Sequence, residues 1–129
     1  MSGTLKRILC VEDEADIRTV AKLALEAVGG FSVELAASGE EALLRAREFL
    51  PELLLLDVMM PGMDGPATLR ALRALPETAA VPAIFLTARA HPGEVMSLKA
   101  QGAIGVITKP FDPMKLADDV RSLWESRDA

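Results

Sequence analysis

The chain has 129 residues, half of them hydrophobic, with one cysteine, one histidine and a formal net charge of −5. That length suits one domain whose core is covered by helices on both faces of a sheet, so residues 1–129 are read as a single unit. An acidic chain without a basic block is a poor direct partner for nucleic acid, one cysteine precludes an internal disulfide, and the longest uncharged stretch, Thr78 to Ala88, is too short for a membrane span.

Apolar and amphipathic segments alternate from end to end, the pattern of a parallel sheet wrapped by helices. The first strand is expected over Arg7–Val11, ending in Glu12-Asp13, with Cys10 a buried core thiol. A helix from Ala15 to Val28 places Ile17, Val20, Ala21, Ala24, Leu25 and Val28 on one stripe and stops at Gly29-Gly30. Ser32–Ala36 alternates in polarity, which suits an edge strand. Ser38 with Glu41 forms a capping box that opens a helix to about Leu50, ended by Pro51.

The third strand, Leu53–Leu56, is continuously apolar and delivers Asp57 into the turn Val58 to Gly65. Asp64 caps a third helix to about Ala74. Ala83–Leu86 ends in Thr87, and a fourth helix runs from about Pro92 to Ala100; His91, in the loop before it, is given no role. Gly105–Thr108 leads into Lys109-Pro110. The last helix is expected to begin with Asp112 as cap and Pro113 at its first position, turning Leu116, Val120, Leu123 and Trp124 inward.

Ligands of open α/β sheets bind outside the carboxyl ends of the strands, where strand order reverses. Glu12, Asp13, Asp57, Thr87 and Lys109 all stand at such ends. Right-handed crossovers around a first strand flanked by the second and third give a doubly wound, flavodoxin-like sheet of order 2-1-3-4-5 with five helices. Asp13 and Asp57 then fall on adjacent strands, about 5 Å apart at backbone level. Three crowded carboxylates repel one another unless a cation joins them, and oxygen ligands suit Mg²⁺. Lys109 adds a positive charge and Thr87 a hydroxyl, so an anion is the expected occupant between them. Removing the charge of Lys109, at a strand tip, is expected to cost little stability.

The segments Leu9 to Glu14, Leu55 to Gly65, Phe85 to Ala88 and Thr108 to Phe111, in this order and spacing, resemble the response-regulator receiver domains of two-component systems along nearly the whole chain. The resemblance implies that Asp57 accepts a phosphoryl group from a phosphohistidine on a histidine kinase or phosphotransfer protein. It further implies that Asp13 and Asp57 ligate Mg²⁺, that Glu12 acts mainly through metal-bound water, and that the Met59 carbonyl completes the protein ligands. Thr87 and Lys109 would bind phosphoryl oxygens, and the Lys109-Pro110 peptide would be cis. Met59 and Arg89 would flank the path of water that hydrolyses the phosphorylated state. A cytoplasmic switch, more than an enzyme, is expected, with its output partner unspecified.

One position departs from the family pattern. Three residues before Lys109, where many members carry Tyr or Phe, this chain has Val106, whose stiff χ1 allows no large swing. Two alternatives therefore stay open: a pseudo-receiver that binds proteins without phosphorylation, and an aspartyl-phosphate phosphatase of the haloacid-dehalogenase type. The latter would place a second Asp two positions after the nucleophile, where this chain has Met59.

Overall fold

A computed structural model describes residues 4–127. Five parallel strands, β1 (Arg7–Val11), β2 (Ser32–Ala36), β3 (Leu53–Asp57), β4 (Ala83–Thr87) and β5 (Ala103–Thr108), pair in the order β2-β1-β3-β4-β5. The helices are α1 (Ala15–Leu23), α2 (Gly39–Phe49), α3 (Gly65–Arg73), α4 (Pro92–Ala100) and α5 (Leu116–Glu125).

The sheet divides the core by the two-residue period of its strands. Ile8, Cys10, Leu53, Leu55, Ile84, Leu86 and Ile107 face α1 and α5, while Leu9, Val11, Leu54, Leu56, Phe85 and Ala103 face α2, α3 and α4. Covered on both sides, β3 and β4 are buried at every residue, which is why they read as unbroken apolar runs. The alternating β2 is an edge strand, as expected. Ser38 caps α2 by accepting from the Glu41 N–H, and the Glu41 carboxylate reaches back to accept from the Ala37 N–H, one residue before the cap. Asp64 caps α3 through the Ala67 N–H.

Three expectations are corrected. At Ala24 the first helix changes to a π-helical turn over Ala24–Val28, and the altered spacing rotates the apolar stripe. Leu25 stays buried but Val28 is left exposed; Val20, at the margin of the stripe, is exposed as well. The last helix becomes regular only at Leu116. The Asp112 carboxylate accepts from the Met114 N–H and its carbonyl from both Lys115 and Leu116, so residues 113–115 form a tight turn ahead of the helix. Asp57 and Thr87 are the last residues of their strands, and β5 begins two residues earlier than Gly105. Trp124 packs against the core side of α5 and carries the Arg127 guanidinium 3.7 Å over its ring.

Candidate functional site

The strand ends are laced to one another by backbone bonds that continue the sheet. Glu12 N–H donates to Ala36 O (3.0 Å), Val58 N–H to Leu86 O (3.0 Å) and Lys109 N–H to Thr87 O (2.8 Å). Each side chain at the carboxyl edge therefore starts from a fixed point. Gly65 completes the frame behind Asp57: its N–H donates to Val58 O at 2.9 Å, and a Cβ there would run into the Asp57 carbonyl and the Val58 backbone. Only glycine lets α3 start this close to β3.

Within that frame Glu12, Asp13 and Asp57 each offer a carboxylate oxygen within 4.8 Å of the others. Glu12 and Asp57 are buried. Lys109 Nζ lies 2.9 Å from Asp57 Oδ1 and 3.2 Å from Glu12 Oε1. With 14% of its side chain exposed, Lys109 is a half-buried counterion to both carboxylates, which ties it to the site more tightly than the small stability cost expected for a strand-tip charge implies. The Lys109-Pro110 peptide is cis.

Burial raises the Glu12 carboxyl to about 7; the Glu14 N–H opposes the rise and the nearby Asp57 charge adds to it. Burial likewise holds Asp57 above the ordinary carboxylate range, although Lys109 pulls it down. Lys109 itself is disfavoured by burial, yet its hydrogen bonds to Asp57 and Glu12 hold it above an ordinary lysine. Asp57 Oδ2 is buried and has no hydrogen-bond partner among the described residues. A buried oxygen without a donor, beside two further carboxylates, fits a hard divalent cation with oxygen ligands, so Glu12, Asp13 and Asp57 form a set that could hold Mg²⁺.

Thr87 is buried at the next strand end, where its hydroxyl donates to Arg89 O (3.2 Å) and accepts from the Arg89 N–H (3.0 Å). Met59 and Arg89 are exposed beyond Asp57 and Thr87. Val106 is half-buried against the α4 side of the core. Two features escape sequence reasoning. His91 accepts the Glu94 N–H through Nδ1 at 3.2 Å and so caps α4. Arg18 donates through Nη1 to the Glu12 carbonyl at 2.8 Å; its only trace in the sequence is its place in the second turn of the helix that follows Glu12.

The family model described as the response regulator receiver domain matches residues 8–121. The phosphate regulon transcriptional regulatory protein PhoB of Rhizobium meliloti is 40% identical over 119 residues, which cover 92% of this chain and 52% of that protein. The response regulator PleD of Caulobacter vibrioides is 42% identical over 119 residues, 91% of this chain and 26% of that protein. The chain thus spans about half the length, or less, of these relatives. Among solved structures, the chemotaxis protein CheY4 of Vibrio cholerae superposes with a TM-score of 0.85 at 32% identity, covering 93% of this chain and 99% of that one. With its five-stranded 2-1-3-4-5 sheet and an acidic cluster at the carboxyl edge, the chain belongs to the family of response regulator receiver domains.

Proposed function

We propose that residues 1–129 act as one phosphoaccepting receiver module in which Asp57 takes a phosphoryl group and the change alters binding to a protein partner. Receiver domains are signalling switches that use Mg²⁺ in phosphorylation, and response regulators interact with histidine kinases or phosphotransfer proteins. The observation that carries the assignment is the environment of Asp57: a buried carboxylate with one oxygen on Lys109 and the other on no protein donor. Uncommitted lone pairs at Oδ2 are what a nucleophile or metal ligand needs.

Glu12, Asp13, Asp57 and the Met59 carbonyl would hold Mg²⁺, which when bound supplies charge neutralisation for an approaching phosphoryl group. The Asp57 carboxylate attacks phosphorus in line, a P–O bond forms as the donor's P–N bond breaks, and the departing imidazole takes up a proton. Lys109 then exchanges its hold on the carboxylate for a phosphoryl oxygen, and the Thr87 hydroxyl turns from Arg89 O to another. That exchange links the site to the loop beginning at Thr87 and to α4, a helix in which Leu98 is the one buried residue. It offers a route of readout that needs no aromatic at Val106. An apolar groove lined by Ile17, Val20, Pro110 and Phe111 opens beside Lys109, where a donor protein must approach. Among the described residues no helix is long and apolar enough to cross a membrane. The proposed donor is a histidine kinase or phosphotransfer protein, met in the cytoplasm as is typical of response regulators.

The test is intact-mass measurement after incubation with a small acyl-phosphate donor. One added phosphoryl group, lost in excess chelator and absent from Asp57→Asn, is expected. Unchanged labelling in that variant would refute the role of Asp57, and an unlabelled wild type would favour the pseudo-receiver.

A further inference from the structure

The β1–α1 turn that carries Glu12 and Asp13 is held by Glu12 N–H to Ala36 O, Glu14 N–H to Glu12 Oε2, Lys109 Nζ to Glu12 Oε1 and Arg18 Nη1 to Glu12 O. Of the two side chains that reach it from outside, Lys109 holds the carboxylate, and among the described residues Arg18 is the one that holds the main chain. The carbonyl it grips belongs to the same planar unit as the Asp13 nitrogen, so fixing that carbonyl fixes the direction in which Asp13 leaves the strand.

Arg18 reaches the acidic turn with its Nη1 2.8 Å from the Glu12 carbonyl, where a cation could pair with a carboxylate. Arg18 forms no ion pair among the described residues and is committed to the carbonyl instead. Its field favours the ionised forms of Cys10 and Glu41, while at Glu12 and Asp57 burial and Lys109 are prominent and Arg18 is not among the main influences. The guanidinium is therefore a mechanical tie more than a counterion.

We propose that Arg18 is a positioning residue of the acidic site, which sets the plane of the Glu12–Asp13 peptide and thereby the convergence of Asp13 with Glu12 and Asp57 on a divalent cation. The inference rests on the reading of the cluster as a Mg²⁺ site. The two conceivable roles of Arg18 have opposite signs. Removing a mere positive charge beside the site would tighten Mg²⁺ binding, whereas removing a tie would weaken it.

Calorimetric titration of Mg²⁺ alone into wild type, Arg18→Lys and Arg18→Met at fixed ionic strength tests this, with the Mg²⁺-free urea midpoint of each variant as the control for folding. Arg18→Met keeps the apolar stem and is expected to lose affinity on the order of tenfold, as for other partners that orient metal-binding residues. Arg18→Lys, which keeps the charge without the planar fork, should fall between it and wild type. Binding by folded Arg18→Met as tight as wild type, or tighter, would overturn the inference. Should Arg18→Met fail to fold, Arg18→Lys decides: weaker binding supports the tie, and binding equal to wild type overturns it. A wild type that binds no Mg²⁺ would overturn the metal reading, and the role of Arg18 with it.

Discussion

Addition of Mg²⁺ to the metal-free protein should stabilise it, and the structure sets the scale. Carboxylate oxygens within 4.8 Å repel by about 3.5 kcal/mol per ionised pair at an effective dielectric constant of about 20, roughly 10 kcal/mol over three pairs. The Lys109 contacts at 2.9 and 3.2 Å return a similar amount, about 11 kcal/mol on the same footing. Attraction and repulsion nearly cancel, which leaves the desolvation of the buried carboxylates uncompensated and the fully ionised cluster at a formal charge of −2. A divalent cation balances that charge. Mg²⁺ at a hundred times its Kd should add about 2.7 kcal/mol to the unfolding free energy. For a domain of this length that is about 10 °C in Tm. Urea unfolding in Mg²⁺, in chelator, and in NaCl of matched ionic strength measures it, and Asp13→Asn should abolish most of the gain. A gain reproduced by NaCl, or retained in Asp13→Asn, would show the reasoning to be wrong.

Lys109→Ala should destabilise the metal-free protein by about 3 kcal/mol near neutral pH, because two buried carboxylates lose their counterion. Their folded-state pKa values, already raised, rise further, so the deficit relative to wild type grows as pH climbs above the unfolded carboxylate range near 4 and vanishes below it; urea melts at several pH values check this, and a pH-independent deficit would contradict it. Gly65→Ala forces a methyl group against the Asp57 and Val58 backbone and should cost roughly 1–3 kcal/mol while also weakening Mg²⁺ binding, measured by urea melts and calorimetry. Dephosphorylation should be slow in wild type, since neither Met59 nor Arg89 offers a carboxylate or amide to orient water, Met59 is an apolar screen and the Arg89 guanidinium can pair with a phosphoryl oxygen, and faster in Met59→Asn combined with Arg89→Glu; time courses of phosphate loss with equal rates, or a slower variant, would end that proposal.

Much of this was legible in the sequence because the sheet is buried on both faces. Leu53 to Leu56 and Ala83 to Leu86 are unbroken apolar runs because α-helices cover them above and below, and crossover handedness then orders the strands. The acidic site followed from residues at strand ends, which need no knowledge of side-chain packing. What escaped depends on geometry that periodicity does not carry. A helix read at 3.6 residues per turn cannot register the π-helical turn at Ala24–Val28, so the periodicity turns Val28 inward where the structure leaves it exposed. Asp112 and Pro113 carry a helix-start pattern, yet the Asp112 carbonyl is shared between Lys115 and Leu116, and the first turn tightens. The burial of Lys109, the grip of Arg18 on Glu12 and the approach of Gly65 to Asp57 are contacts between distant segments, and single-residue chemistry does not announce them.

The central claim is that the buried carboxylate of Asp57 is the atom group that changes covalently. Reductive trapping reads it directly: borohydride converts a phosphorylated aspartate into homoserine, and peptide mapping locates the conversion. After treatment with an acyl-phosphate donor and Mg²⁺, the account predicts homoserine at the position of Asp57 alone, and none when chelator replaces Mg²⁺. Conversion at Asp13 or another carboxylate, or at Asp57 regardless of chelator, would contradict it.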